Sequence, residues 1–206
     1  DDDDDDSSGG PAPGGDGEGA ENPAPVIKCK WEYDHDVYVD YVDPCECDCT
    51  CYQHDACPCA PGLQVKPIIG GHVMVDYYAI VTDLSGVADI EKVYADVWHP
   101  DCTFKYQIEL ELVGMSVEGY DESQALFEWN HVKAHHSDLI TLNEDWMMDM
   151  GFETESQAFA DIDDELEEEL AYLYHGMAPI DYCQPGGYYY VGIKARDAFK
   201  WSDYLY

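Results

Sequence analysis

Basic residues are scarce: 9 lysines and arginines stand against 45 aspartates and glutamates, leaving a formal net charge of −36. A nucleic-acid-binding surface is excluded on that ground, because polyphosphate attracts basic patches and the chain has no basic run. Also lacking is any stretch of about 18 apolar residues, the length a bilayer-spanning helix needs. No apolar signal segment opens the chain at Asp1. The G-x-S-x-G elbow, the phosphate-binding loop, the dinucleotide fingerprint and the H-E-x-x-H helix are all missing, so no enzyme is expected. The cysteine patterns of several cofactor sites are missing too. There is no C-x-x-C-H for covalent haem, no pair of C-x2-C zinc-finger knuckles and no C-x-x-C redox motif.

Cysteine itself is plentiful. Six of the nine, Cys45, Cys47, Cys49, Cys51, Cys57 and Cys59, fall within fifteen residues, and Cys29, Cys102 and Cys183 lie apart. A chain of 206 residues buries enough surface to fold without staples, so this density points to cross-linking or metal binding. On an extended chain, residues i and i+2 sit about 6.6 Å apart on the same side. That is near the upper limit for an unstrained disulfide, so each C-x-C pair bonds more easily to a second strand than to itself. The count is odd, which leaves at least one thiol free or bonded to another chain. Three readings stand: intermolecular or mixed disulfides, intramolecular disulfides with one free thiol, and a thiolate metal cluster aided by His54. Against the metal, Glu46, Asp48 and Asp55 add negative charge where thiolates already repel. We adopt cross-linking between subunits, with all nine cysteines as candidates. Persistent disulfides, an acidic surface and a start at Asp1 without methionine imply a processed, extracellular or cell-envelope protein, with a cytosolic chain as the alternative.

Residues 1–25 form an acidic low-complexity tail that cannot bury enough apolar surface to offset its ordering entropy. Asp1, Asp2, Asp3, Asp4, Asp5 and Asp6 can offer oxygen ligands to calcium or another divalent cation, although an EF-hand's glycine and spacing are absent. A solvated acidic tail is the competing reading, and no other cofactor is expected. Residues 26–206 read as one domain. Ile27, Cys29, Trp31 and Tyr33 alternate with Lys28, Lys30, Glu32 and Asp34, the period of a strand buried on one face. A turn at 34–36, a continuation through Val37, Val39 and Tyr41, and a cysteine-rich excursion over 44–62 follow. Strands are predicted around 73–81, 93–97 and 104–112, with Asp101 and Cys102 in a tight hairpin loop. A helical insertion spans about 120–168. It has capping-box spacings at Asp121/Gln124 and Thr154/Gln157, and a Trp146–Met150 patch that plugs the join to the sheet. Strands return over 170–182 and 188–196, ending in an edge strand or exchanged arm over 198–206. About seven strands with short turns predict a mainly β fold, a β-sandwich with an inserted helical region.

His131, His135 and His136 offer an i, i+4 metal pair on a helix, but His131 points away from the face set by Trp129 and Val132, without an obvious third ligand. A solvated histidine face is the plainer reading. Seventeen tyrosines concentrate on strands. Tyr188, Tyr189, Tyr190, Tyr204 and Tyr206 are either ordinary strand residues or anchors of subunit contacts.

The run Pro185–Asp197, with Val93–Asp101 and Phe104–Leu110, resembles immunoglobulin-like domains of the polycystic-kidney-disease type found in surface and sheath-type proteins of methanogenic archaea. The resemblance covers residues 65–200 and implies an Ig-like β-sandwich without catalytic residues. The expectation is therefore a self-assembling structural subunit of a sheath, surface lattice or filament, partnered by copies of itself. The alternative is a secreted metal-binding module using the cysteine cluster and acidic tail.

Overall fold

The computed structural model describes residues 22–34, 63–65, 71–114, 124–181 and 187–206. In chain order these form β1 (Val26–Asp34), β2 (Leu63–Val65), β3 (His72–Thr82), β4 (Lys92–Trp98) and β5 (Phe104–Leu112). Then come α1 (Gln124–His135), β6 (Thr141–Leu142), α2 (Glu144–Met150), α3 (Glu155–Glu167), β7 (Ala171–Asp181) and β8 (Gly187–Arg196). The fold is mainly β. Among the described residues the strands make one antiparallel sheet in the order β2-β8-β4-β5-β7-β3-β1-β6. Where a sandwich predicts two separate sheets, β5 and β7 join the halves through the pairs Glu111↔His175 and Leu112↔Tyr174.

That junction is a corner, and Gly176 permits it. A Cβ at Gly176 would lie 2.7 Å from Leu110 Cδ2 and 3.2 Å from the Glu109 carbonyl oxygen. Only a residue without a side chain lets β5 cross so close to the β7 backbone. The sheet curls there, and its inner face closes on itself. Val73, Val75, Tyr77, Ala79 and Val81 of β3 pack in one cluster with Val93, Ala95 and Val97 of β4 and Val191, Ile193 and Ala195 of β8. Strict period-2 spacing on three strands supplies this core.

A second core lies on the outer face of the β1-β3-β7 half. Cys29, Trp31, Ile80 and Leu173 meet Ala125, Trp129 and Val132 of α1, Trp146 of α2, and Ala158, Ile162 and Leu166 of α3. Trp129 Nε1 donates to Asp163 Oδ1 at 2.6 Å, which ties α1 to α3. Strands covered on both faces need apolar residues at consecutive positions. Accordingly Tyr77 faces the inner core while Tyr78 and Ile80 face the helices.

β1 departs from simple alternation. Its pairing with β3 shifts between Ile27 and Cys29, a bulge at Lys28. One extra residue exchanges the faces beyond it. Ile27 lies in the inner core, whereas Cys29 and Trp31 lie under the helices. The charged set expected on a solvated face is buried: Lys28 is 1% exposed, Lys30 2% and Glu32 7%. Lys30 Nζ donates to Glu32 Oε1 and to the Val191 carbonyl oxygen of β8, both at 2.8 Å, so the pair spans the interior of the curl. Lys28 Nζ meets Asp161 at 2.7 Å and Glu165 at 2.5 Å on α3, and lies 4.5 Å from the Trp146 ring centroid.

Local signals behave as their chemistry requires. Thr154 and Gln157 form a complete capping box at the start of α3. Asn143 caps α2 by accepting from Trp146 N, and its own Nδ2 donates to the Ile27 carbonyl oxygen. Of the Trp146–Met150 patch, Trp146 is buried, whereas Met148 and Met150 are exposed, so the tryptophan fills the join and those methionines do not. β5, the cleanest alternation in the sequence, has Phe104 56% and Leu112 48% exposed, and of its apolar positions only Leu110 is fully buried. Asp34 is the last residue of β1, so the proposed turn does not begin there, and residues 35–36, the strand through Tyr41, the excursion over 44–62 and Asp121 lie outside the described residues.

Candidate functional site

Strand register gathers one set of chain ends at a single pole. Asp34 pairs near Val75, His72 pairs with Asp181, and Val65 pairs with Gly187. Trp98 pairs with both Phe104 and Tyr190, and the antiparallel β5–β7 join places that hairpin at the same end as Asp181. The hairpin loop closes by His99 N donating to the Thr103 carbonyl oxygen and Cys102 N to that of His99, each at 2.8 Å. Asp101 Oδ1 accepts from Thr103 N and Oγ1, which leaves Cys102 at the tip with φ 65°. Cys102 is disulfide-bonded. Cys45, Cys47, Cys49, Cys51, Cys57, Cys59 and Cys183 lie outside the described residues, but the strand ends that flank them, Asp34, Leu63, Asp181 and Gly187, belong to this pole.

Cys29 stands apart from the other cysteines. It is a free thiol with no exposure, set in the core beneath the helices. Burial pushes the thiol far above its ordinary range, with only an Ile80 backbone hydrogen bond and the charge of Lys28 opposing. A thiol so placed packs as a small hydrophobe, and this position corrects its candidacy for joining chains.

The C-terminal arm, residues 197–206, folds back along the edge of β8 opposite β4, and its tyrosines reach over the outer face toward Asp96 and Trp98 of β4. Isolated bridges link Ile193 to Leu205 and Arg196 to Trp201. Gly192 makes room for it: a Cβ there would come within 3.0 Å of Tyr204, 3.1 Å of Trp98 and 3.1 Å of Tyr206. A polar clasp fixes the arm. Asp96, 4% exposed in its side chain, accepts from Lys194 Nζ at 2.7 Å, Tyr204 OH at 2.5 Å and Gln107 Nε2 at 2.6 Å. Burial pushes the Asp96 carboxyl up, but the hydrogen bonds from Lys194, Tyr204 and Gln107 outweigh it and hold the group below its ordinary range. The sequence offered no signal for this clasp, since Asp96 reads there as one polar residue in an apolar strand.

The tyrosines named as assembly contacts divide. Tyr189 has no exposure and belongs to the inner core, so it is not a contact residue. Tyr190 is half-buried, and the Tyr188 side chain lies outside the described residues. Tyr204 is 38% exposed and stacks on Tyr206 at 5.3 Å. Trp98 lies 6.2 Å from Tyr204, 6.0 Å from Tyr206 and 5.9 Å from Phe104, and Phe199 is 78% exposed on the same arm.

Among the described residues no group of three or more His, Cys, Asp or Glu could hold a metal ion as the side chains stand, and Asp1 to Asp6 lie outside those residues. No helix among them is long and apolar enough to cross a membrane. Comparison with family models, curated proteins and solved structures finds no match.

Proposed function

We propose that this chain is a non-enzymatic structural subunit of a cell-envelope sheath, surface lattice or extracellular filament, with an Ig-like β-sandwich as its body and disulfides joining its copies. One observation carries the reading. Six of the nine cysteines crowd into fifteen residues of a chain long enough to fold without staples. That density exceeds what one chain with two cores needs, and it serves attachment between copies better than internal stapling, while the Cys102 bond lies within the chain. The aromatic patch around Trp98, Phe104 and Tyr204 adjoins the Cys102 hairpin and offers a non-covalent contact beside the covalent one. The motif resemblance of residues 65–200 to sheath-type surface proteins points the same way, and the reading puts the chain in an oxidising compartment, where disulfides persist.

The test is the migration of the native assembly on denaturing gels with and without reductant. The reading requires high-mass species that collapse to monomer on reduction. Monomer in both lanes refutes covalent joining, and a single discrete particle in electron micrographs of the native material refutes polymerisation.

A further inference from the structure

We propose that His131, His135 and His136 form a binding site for a divalent transition-metal ion of the zinc class, distinct from the cysteine cluster. Helical spacing puts His131 and His135 on one side of α1. The chain then leaves the helix at His136. Its N–H still donates to the Val132 carbonyl oxygen at 2.8 Å, while its backbone turns out of the helix at φ −144° and ψ 38°. That turn brings a third imidazole to the other two, the ligand that i, i+4 spacing alone does not supply.

The separations suit one ion. Imidazole nitrogens about 2.0–2.1 Å from a tetrahedral zinc place their ring centroids about 5 Å apart. His131 and His135 stand at 4.9 Å, His131 and His136 at 6.0 Å, and His135 and His136 at 6.4 Å. One pair already has the required spacing, and the other two must close by about 1 Å, within reach of side-chain rotation. As the side chains stand the three histidines do not form a metal site, so rotation of the rings accompanies binding. His131 and His135 are exposed and free to rotate toward the ion.

The surroundings favour a cation. Phe127 stacks on His131 at 6.5 Å and Tyr33 meets His136 edge-on at 5.2 Å, so two of the rings have aromatic supports. The trio sits at the C-terminal end of α1, where the helix carries partial negative charge. A net charge of −36 raises the local concentration of cations. Three neutral nitrogen donors select zinc, nickel or copper over calcium and magnesium, which take oxygen.

Cobalt(II) is the probe, added to the full chain. An all-imidazole site gives visible d–d absorption without the near-ultraviolet thiolate-to-cobalt band that cysteine ligation produces. We expect one equivalent bound with the imidazole signature, displaced by zinc and released as acid protonates the ligands. His131→Gln, His135→Gln and His136→Gln should each weaken binding by at least about 10-fold, the lower bound for losing even an indirect supporting partner of a metal. His72→Gln, an exposed histidine on β3, should leave it unchanged. Unfolding midpoints of the exposed-site variants should match that of the parent, which separates a lost ligand from a lost fold. The proposal is overturned if the three substitutions leave cobalt affinity and stoichiometry unchanged, or if all bound cobalt carries the thiolate band.

Discussion

Replacing Lys28 with methionine tests whether the charge at the β1 bulge holds the helical layer to the sheet. The lysine is 1% exposed in its side chain and lies between Asp161 and Glu165, themselves 25% and 23% exposed. Removing one member of a buried ion pair costs about 3–5 kcal/mol, because the remaining charge is left desolvated. Here both carboxylates keep partial access to water, so the lower end applies, and Lys28→Met should cost about 3 kcal/mol. Asp161 and Glu165 are also one helical turn apart, and without the ammonium between them their repulsion adds about 0.2–0.5 kcal/mol. Burial already raises the Glu165 carboxyl above its ordinary range, with Lys28 opposing the shift. A group whose folded pKa is raised favours the fold at low pH and opposes it as pH rises through the folded value. Loss of Lys28 raises it further, so the cost of the substitution should be greatest at neutral pH and shrink as pH falls toward the ordinary glutamate range. Urea unfolding followed by tryptophan fluorescence reads this directly, with Trp31, Trp129 and Trp146 all in the helix-covered core. The triple variant Lys28→Met, Asp161→Asn, Glu165→Gln should regain most of the loss, since a neutral set has no desolvated charge. A cost under about 1 kcal/mol for Lys28→Met, or a triple variant no more stable than the single one, would refute the argument.

Two further outcomes concern the clasp and the buried thiol. Asp96→Asn leaves Lys194 without its carboxylate and should cost about 1–3 kcal/mol, with the arm residues losing amide-exchange protection before the sheet does; simultaneous loss across the molecule would count against a separable arm. Because the folded Asp96 carboxyl is held low, its contribution is present above the ordinary aspartate range and disappears as pH falls through the folded value. Tyr204→Phe should weaken the clasp by about 1 kcal/mol, and that cost should shrink as acid protonates Asp96, because the hydroxyl is one of the donors that hold its carboxyl low. Cys29 should resist iodoacetamide in the native chain and react at the rate of unfolding, and mass mapping that found rapid native labelling at Cys29 would contradict its placement in the core.

Much of the strand layout was legible because it is set locally. The alternations over 73–81, 93–97 and 104–112, the hairpin at Asp101 and Cys102, and the capping box at Thr154 each depend on residues within a few positions of one another. The errors arose where distant segments decide. Lys30 and Glu32 look like the wet side of a half-buried strand until β8 is brought across the curl to receive them. Tyr188, Tyr189 and Tyr190 are equivalent as letters, yet Tyr189 is sealed in the inner core while Tyr190 is half-buried. The aspartate clasp joins positions 96, 107, 194 and 204, and no local pattern links them.

The sequence by itself determined the net charge of −36, the crowding of six cysteines into fifteen residues and the period of each strand, all properties of composition or of neighbouring residues. Only the tertiary structure decided that the two half-sheets are one, that β1 is buried on both faces, that Cys29 is shut away while Cys102 stands at a pole, and that a third histidine joins the helical pair. The physical reason is that a side chain's direction follows from local backbone geometry. What it meets in that direction depends on segments far away in the chain.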